Sequence, residues 1–249
     1  MFMENNLGRE GLPITERIVN EFEIEAGDFY DLAKIYLDAL LRVQKDVAAR
    51  IIIKSVEEGA DVRDIYLHVF EPSQHEIGRL WQTNQISVAQ EHFCTAATQM
   101  IMSQLYPYIF SSSKNGYKMI ATCVEGELHE IGIRMMADLF EMEGWDTYYL
   151  GANTPTPSTI DTIKKLQPHL VAISASIHYN VGNVRKLVQT IHESDLISTT
   201  KVFVGGRPFI LAPELWKKVG ADACAPNALE AISLANKIII NQGEKSNVK

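Results

Sequence analysis

The first part of the chain places apolar residues at the spacing of amphipathic helices. Between residues 28 and 106 they recur three and four positions apart, beginning with Phe29, Leu32, Ile35, Tyr36 and Leu40. This period predicts helices that each bury one face against their neighbours.

Capping and helix-breaking residues divide this region into four helices. Gly59 ends the second helix, Asp61 is the expected N-cap of the third, and Pro72 is expected to kink or split that third helix. Ser87 and Gln90 form a Ser-x-x-Gln capping box that opens the fourth helix. Four helices of this length predict a small bundle.

The pattern then changes to short apolar runs that alternate with amphipathic segments. The predicted strands are residues 118–122, 147–150, 170–176, 202–204 and 221–225. The helices between them have boundary signals at Gly144, at Thr156-Pro157 and at Asn227 followed by Glu230. Five strands joined by single helical crossovers predict a doubly wound parallel sheet.

These patterns predict an α/β protein in which a four-helix-bundle cap precedes a doubly wound five-stranded sheet. The expected boundaries are an N-terminal arm at 1–27, the cap at 28–110, a Ser-rich linker at 111–116, the sheet domain at 117–243 and a tail at 244–249. The arm is expected to be either loose or a short packing helix.

Charge argues against nucleic acid as a direct partner and against an anionic membrane. The 249 residues include 23 Lys and Arg against 31 Asp and Glu, a net charge of −8, and no local basic patch offsets it. No apolar run approaches the roughly 18 residues of a membrane span, and the first 20 residues lack a signal-peptide core. We therefore expect a soluble cytoplasmic protein.

The three cysteines do not suggest a metal site. Cys94, Cys123 and Cys224 are isolated, and none belongs to a Cys-x-x-Cys pair that would hold zinc. They are expected to be buried thiols in a reducing compartment.

The candidate chemistry lies in the loop after the first predicted strand. There His129 has a carboxylate two residues before it, Glu127, and a glycine three residues after it, Gly132. An imidazole coordinates a metal through one nitrogen while a carboxylate holds the other. Gly132 would let a flat, bulky ligand approach the backbone. The alternative is a polar loop whose histidine caps the next helix.

With these residues the second half resembles the cobalamin-binding domains, whose motifs are Asp-x-His-x-x-Gly, a Ser-x-Leu element after the third strand and Gly-Gly after the fourth. The corresponding residues here are Glu127, His129 and Gly132, then Ser174 and Ser176, then Gly205 and Gly206. The resemblance implies a Rossmann-like, flavodoxin-like domain in which His129 is the lower axial ligand of cobalt. It also implies that Leu128 and Ile131 contact the cofactor and that the serines and glycines line a channel for the displaced nucleotide tail. Glu127 replaces the usual Asp, and Ser176 stands where Leu is common.

The helical half adds a second resemblance. Trp81, followed ten and eleven residues later by Glu91 and His92, is similar to the cap of light-sensing adenosylcobalamin regulators. In that family these side chains lie over the upper face of the corrin. The alternatives are an ordinary core tryptophan and a solvated helix edge. The segment before residue 28 is too short for the DNA-binding domain of those regulators.

Three functions are compatible with these features. The first is a photosensor in which light cleaves the upper bond of adenosylcobalamin and changes cap position or assembly, with self-association or a partner protein as output. The second is a corrinoid carrier that takes a methyl group, as methylcobalamin, from one methyltransferase to another. The third is cobalamin storage or delivery. Some stand-alone sensors also bind a bilin, and no residue decides whether one binds here. No catalytic residue is expected.

Overall fold

The computed structural model describes residues 18–19, 22, 27–110, 113–194 and 200–240. The predicted tail, 244–249, lies outside these residues, as do most of the predicted arm and the first two residues of the predicted linker. The chain divides into two compact units, residues 1–108 and 109–249, which we call the helical unit and the sheet unit.

The helical unit contains the predicted bundle. Its α-helices are α1 (Tyr30–Leu41), α2 (Lys45–Glu57), α3 (Val62–Ile65), α4 (Glu71–Gln82) and α5 (Val88–Gln104), and a 3-10 turn at Gly27–Phe29 precedes them. The α6 helix (Tyr106–Ile109) is its last element and crosses the boundary between the units. Ile18 and Phe22 of the predicted arm are buried, which favours the packing-helix alternative for that part of the arm.

The third predicted helix is split at Pro72, as expected. Asp61 caps its start by accepting a 2.8 Å hydrogen bond from the Arg63 N–H. A π-helical turn, Tyr66–Phe70, then separates α3 from α4. Because Pro72 has no N–H to donate, the α-helical ladder cannot run unbroken through it, and the Glu71 N–H bonds to the Tyr66 carbonyl five residues back.

Only half of the predicted capping box forms at the start of α5. The Ser87 hydroxyl accepts a 3.2 Å bond from the Gln90 N–H, as predicted. The Gln90 side chain does not return the bond. Its amide donates instead to the Leu41 carbonyl at 3.0 Å, which ties the start of α5 to the end of α1.

The sheet unit confirms the predicted fold class. Its parallel strands are β1 (Lys118–Val124), β2 (Asp146–Thr154), β3 (Leu170–Ser174), β4 (Lys201–Gly205) and β5 (Ala223–Cys224), in the order β2-β1-β3-β4-β5. Its α-helices are α7 (Ile131–Met142), α8 (Thr156–Leu166), α9 (Val181–Glu193), α10 (Arg207–Leu211), α11 (Leu215–Val219) and α12 (Ala228–Ala235). A 3-10 turn at His178–Asn180 precedes α9, and a π-helical turn at Asn236–Ile240 follows α12.

All five strands end one to four residues away from the predicted ends, with the largest difference in β2. β2 continues four residues beyond residue 150 through an irregular pairing with β1, and left-handed φ values at Gly151 and Asn153 accompany it. β3 ends at Ser174 rather than at residue 176, because the N–H groups of Ser176 and Ile177 donate to a side chain instead of to a neighbouring strand.

The helix boundaries of the sheet unit agree closely with the sequence signals. Gly144 follows α7 with a left-handed φ of +84°, and the Asn227 side chain caps α12 through the Glu230 N–H at 2.9 Å. The predicted N-cap at Thr156 is wrong by one residue, since Pro155 precedes a helix that begins at Thr156. Within the part of the chain that the structure describes, no helix is both long and apolar enough to span a bilayer.

Candidate functional site

The strand order creates a switch point between β1 and β3. From β1 the chain crosses to β2 on one side, and from β3 it crosses to β4 on the other, so the loops that leave β1 and β3 diverge from adjacent strand ends. In open α/β sheets such a crevice at the carboxyl edge is where ligands bind. The loop that carries Glu127 and His129 leaves β1 at this place.

Glu127 and His129 form a hydrogen-bonded pair in this loop. The Glu127 side chain is fully buried, whereas the His129 side chain is 51% exposed. Glu127 Oε1 lies 2.5 Å from His129 Nδ1 and also accepts a 3.0 Å bond from the His129 backbone N–H. Glu127 therefore fixes both the ring and the backbone of His129.

The second oxygen of Glu127 is held by the loop after β3. Glu127 Oε2 accepts from the N–H groups of Ser176 at 2.8 Å and Ile177 at 3.1 Å, and from Nδ2 of the buried Asn180 at 3.0 Å. The carboxylate thus bridges the two loops at the switch point. These bonds are also the physical reason why β3 stops at Ser174.

The hydrogen bonds determine the charge of Glu127. Burial would raise the pKa of this carboxyl group, but the bonds from His129, Asn180 and Ser176 outweigh burial and lower the pKa from 4.5 to about 2. An ionised carboxylate only accepts, so the proton of the neutral imidazole belongs on Nδ1. Nε2 is then the ring nitrogen with a lone pair for a metal.

Three asparagines hold the same loop, and the sequence did not reveal this role. The Asn153 side chain accepts from the Gly126 N–H at 2.8 Å, while the Asn153 N–H donates to the Glu127 carbonyl at 2.8 Å. Asn180 Nδ2 also lies 3.3 Å from the Gly126 carbonyl, and Asn183 Nδ2 donates to the Glu125 carbonyl at 2.8 Å. The available signal was the position of these asparagines, with Asn153 at the end of β2 and Asn180 and Asn183 soon after β3.

The surface around His129 suits a broad apolar ligand. A Cβ on Gly132 would meet nothing within 4 Å, so the first turn of α7 offers open space. Leu128 is 71% exposed, Ile177 is also exposed, and Ile131 is half-buried. Exposed apolar side chains beside a ligand-competent histidine are expected where a macrocycle rests against the sheet.

The donor set also fits a macrocycle better than a bare ion. In the described ranges no group of three or more His, Cys, Asp or Glu side chains could hold a metal ion. A corrin would bring most of the nitrogen ligands of its own cobalt, so a single histidine such as His129 would be enough to hold it.

The predicted channel residues lie along the ends of β3 and β4. Ser174 and Ser176 are half-buried, and the Ala175 N–H between them donates to the Gly205 carbonyl at 3.1 Å. Gly206 has φ +103°, and a Cβ there would lie 2.1 Å from the Ala175 carbonyl oxygen. Gly206 is therefore required for close strand-to-loop packing, whatever else it contacts.

The three predicted cap residues belong to the helical unit. Trp81, at the end of α4, is 41% exposed and is not the core tryptophan of the alternative interpretation. His92 is exposed, and its Nε2 lies 3.5 Å from Glu91 Oε2. Glu91 is fixed by Thr95, whose hydroxyl lies 3.0 Å from Glu91 Oε1 and 3.1 Å from Gln74 Oε1.

The cysteines are free thiols, as predicted. Cys94 and Cys123 are buried, and burial, reinforced by nearby glutamates, raises the pKa of each to about 12. The prediction of burial is wrong for Cys224, which is only partly buried.

Two family models match this chain. Residues 117–233 match a family model described as a B12 binding domain, and residues 32–106 match a second model with the same description. Each unit of the chain thus matches one of two family models with this description.

Several proteins that are similar to this chain are corrinoid proteins. The dimethylamine corrinoid protein of Methanosarcina barkeri is 26% identical over 84% of this chain and 98% of its own length. A corrinoid protein of Desulfitobacterium hafniense is 24% identical over 81% of this chain and 94% of its own. The fold matches the monomethylamine corrinoid protein of M. barkeri with a TM-score of 0.71 at 22% identity, over 82% of this chain and 96% of that one.

The similarity to these relatives changes which of the expected functions is best supported. The photosensor expectation depended on Trp81, Glu91 and His92, and the similarity now found covers both units and is to corrinoid proteins. The alternative, a corrinoid carrier, is therefore better supported than light sensing.

Proposed function

We propose that this chain is a corrinoid carrier of a methyltransferase system, which binds cobalamin on the sheet unit and moves a methyl group between two methyltransferases. The observation that supports this most strongly is the buried Glu127 with the half-exposed His129 at the switch point between β1 and β3. The relatives named as dimethylamine corrinoid proteins point to a methylated amine as the source of the methyl group.

Each residue of the site has a defined task. His129 would hold the cobalt of the corrinoid through Nε2, and Glu127 holds the proton on Nδ1 through the 2.5 Å contact. Three further N–H donors bond to Glu127 Oε2 and stabilise its negative charge, so the carboxylate stays ionised without pulling the proton fully away from the ring. The bound corrinoid supplies a cobalt centre that accepts and releases the methyl group.

In this scheme the chain carries the methyl group on its cofactor and needs no nucleophile of its own. The chain's own residues orient the cofactor and tune its lower ligand, and the methyltransferase partners supply the acid-base chemistry. We therefore propose methylcobalamin, rather than adenosylcobalamin, as the working cofactor.

The experiment is a transfer assay with a labelled methyl group. The chain is loaded with 14C-methylcobalamin and mixed with a thiol and a methyltransferase that uses protein-bound methylcorrinoid as donor. We expect label on the thiol only when both proteins are present, and loss of that transfer in His129→Ala. If label stays on the chain while green light changes the hydrodynamic size of the adenosyl-loaded protein, the photosensor function is correct instead.

A further inference from the structure

The loop in front of the axial histidine is held from two sides by Asn153, Asn180 and Asn183, which we call the asparagine clamp. Asn153 lies at the end of β2 and bonds to Gly126 and Glu127, whereas Asn180 and Asn183 belong to the segment after β3 and bond to Glu125, Gly126 and Glu127. The clamp thus secures consecutive backbone groups of residues 125–127 from both neighbours of β1.

Asn153 and Asn180 bind the loop through opposite ends of the asparagine side chain. Asn153 acts through its oxygen, because its partner is the Gly126 N–H at 2.8 Å. Asn180 acts through its nitrogen, because its partners are the Gly126 carbonyl and Glu127 Oε2. The same replacement, Asn by Asp, should therefore spare one position and disrupt the other.

Backbone geometry supports a dedicated role for Asn153. Its φ is +50°, in the left-handed region that asparagine tolerates better than most residues, and this places its side chain and its own N–H on the same loop. Gly126 is also left-handed, with φ +83°. Two left-handed residues in contact are a backbone arrangement that is costly unless the surrounding hydrogen bonds hold it in place.

We infer that the asparagine clamp presets the position of the Glu127–His129 pair, so that corrinoid meets an axial ligand already in place, and that Asn153 is a positioning residue for it. Every bond of the clamp joins two protein groups, so the loop conformation is specified by the chain itself. The expected consequence, fast capture of the cofactor, rests on the proposed cobalamin site. The ordering of the loop by the clamp does not depend on that proposal. Preorganisation of this kind raises affinity by lowering the ordering cost of binding.

The test compares four variants of the whole chain, Asn153→Ala, Asn153→Asp, Asn180→Asp and Asn84→Ala. Asn84 is an exposed residue of the helical unit with φ +56°, so Asn84→Ala carries the same backbone strain without touching the loop. Amide hydrogen exchange of residues 124–130 is measured without corrinoid. The rate of hydroxocobalamin uptake is measured separately, and circular dichroism melting confirms that each variant folds.

Loss of one hydrogen bond should raise exchange at Gly126 about tenfold in Asn153→Ala. Asn153→Asp keeps the acceptor and should stay within about twofold of wild type, whereas Asn180→Asp sets two carboxylates together and should raise exchange at least tenfold and slow uptake. Asn84→Ala should leave the loop unchanged. Wild-type exchange in a folded Asn153→Ala, or equal effects of the two Asp variants, would overturn the inference.

If Asn153→Ala does not fold, the comparison of Asn153→Asp with Asn180→Asp decides the matter. If wild-type protein takes up no hydroxocobalamin, the proposed function fails while the exchange measurements still decide whether the clamp orders the loop.

Discussion

Acid should weaken the folded sheet unit in a way that depends on Glu127. Its pKa is about 2 in the folded protein against 4.5 for an ordinary glutamate, so the unfolded chain binds this proton more readily. A carboxyl group whose pKa is lowered by folding stabilises the native state fully above pH 4.5, and that stabilisation is lost as the pH falls toward 2. Protonation of Glu127 should therefore destabilise the protein as the pH falls from 4.5 toward 2.

The size of the effect follows from the two pKa values. Relative to pH 6, ionisation linkage removes about 1 kcal/mol at pH 4, about 2 kcal/mol at pH 3 and about 3 kcal/mol at pH 2. Glu127→Gln has no such proton to gain. At pH 7 this variant should itself be less stable by about 3 kcal/mol, because an amide cannot accept from all the donors that face Glu127 Oε1 and Oε2.

The assay is urea unfolding at several pH values, with the buried Trp145 of the sheet unit contributing to the fluorescence signal. The difference in unfolding free energy between wild type and Glu127→Gln should shrink by about 2 kcal/mol between pH 6 and pH 3. Glu125→Gln, an exposed change of the same charge in the same loop, is the matched control and should leave the pH profile as in wild type. A constant difference between wild type and Glu127→Gln would refute the assignment of a buried, ionised carboxylate.

Three further substitutions test separate parts of the structure. Gly132→Ala should stabilise the apoprotein by about 0.5–1 kcal/mol, since alanine favours helix and the added Cβ meets nothing, yet it should weaken cobalamin binding; tighter binding in a titration would count against a ligand over this helix turn. Gly206→Ala should cost at least about 2 kcal/mol in thermal unfolding, because its Cβ would overlap the Ala175 carbonyl, and an unchanged Tm would be inconsistent with this packing. Thr98→Val should lower stability by about 1–3 kcal/mol, because it leaves the buried Tyr36 hydroxyl, now 2.7 Å from the threonine oxygen, without this partner; a neutral result would show that the bond is dispensable.

The fold was predictable because its signals are local. The period of the apolar residues is a property of single elements. The capping and helix-breaking residues also act within single elements and agree closely with the helix boundaries, at Asp61, Pro72, Gly144 and Asn227. The failures occur where a distant partner intervenes. Gln90 was expected to cap its own helix, but its side chain serves the Leu41 carbonyl 49 residues away.

Of the candidate site, only the contact between Glu127 and His129 was predictable from the sequence. The spacing of Glu127 and His129 puts them in one loop, so their contact could be foreseen. The partners of Glu127 Oε2 could not, because Ser176 and Asn180 are 49 and 53 residues away and come near only through strand order. Trp81, Glu91 and His92 alone favoured a photosensor, whereas the relatives found over both units favour a corrinoid carrier.

The most direct test of the central claim is electron paramagnetic resonance of the protein loaded with cob(II)alamin, after growth with 15N-labelled histidine. If His129 is the lower ligand, the superhyperfine splitting of the cobalt lines changes from the triplets of 14N to the doublets of 15N. Labelled His129→Ala loses the doublets. Triplets that persist in the labelled wild-type protein would show that the cofactor keeps its own base, and would contradict the account.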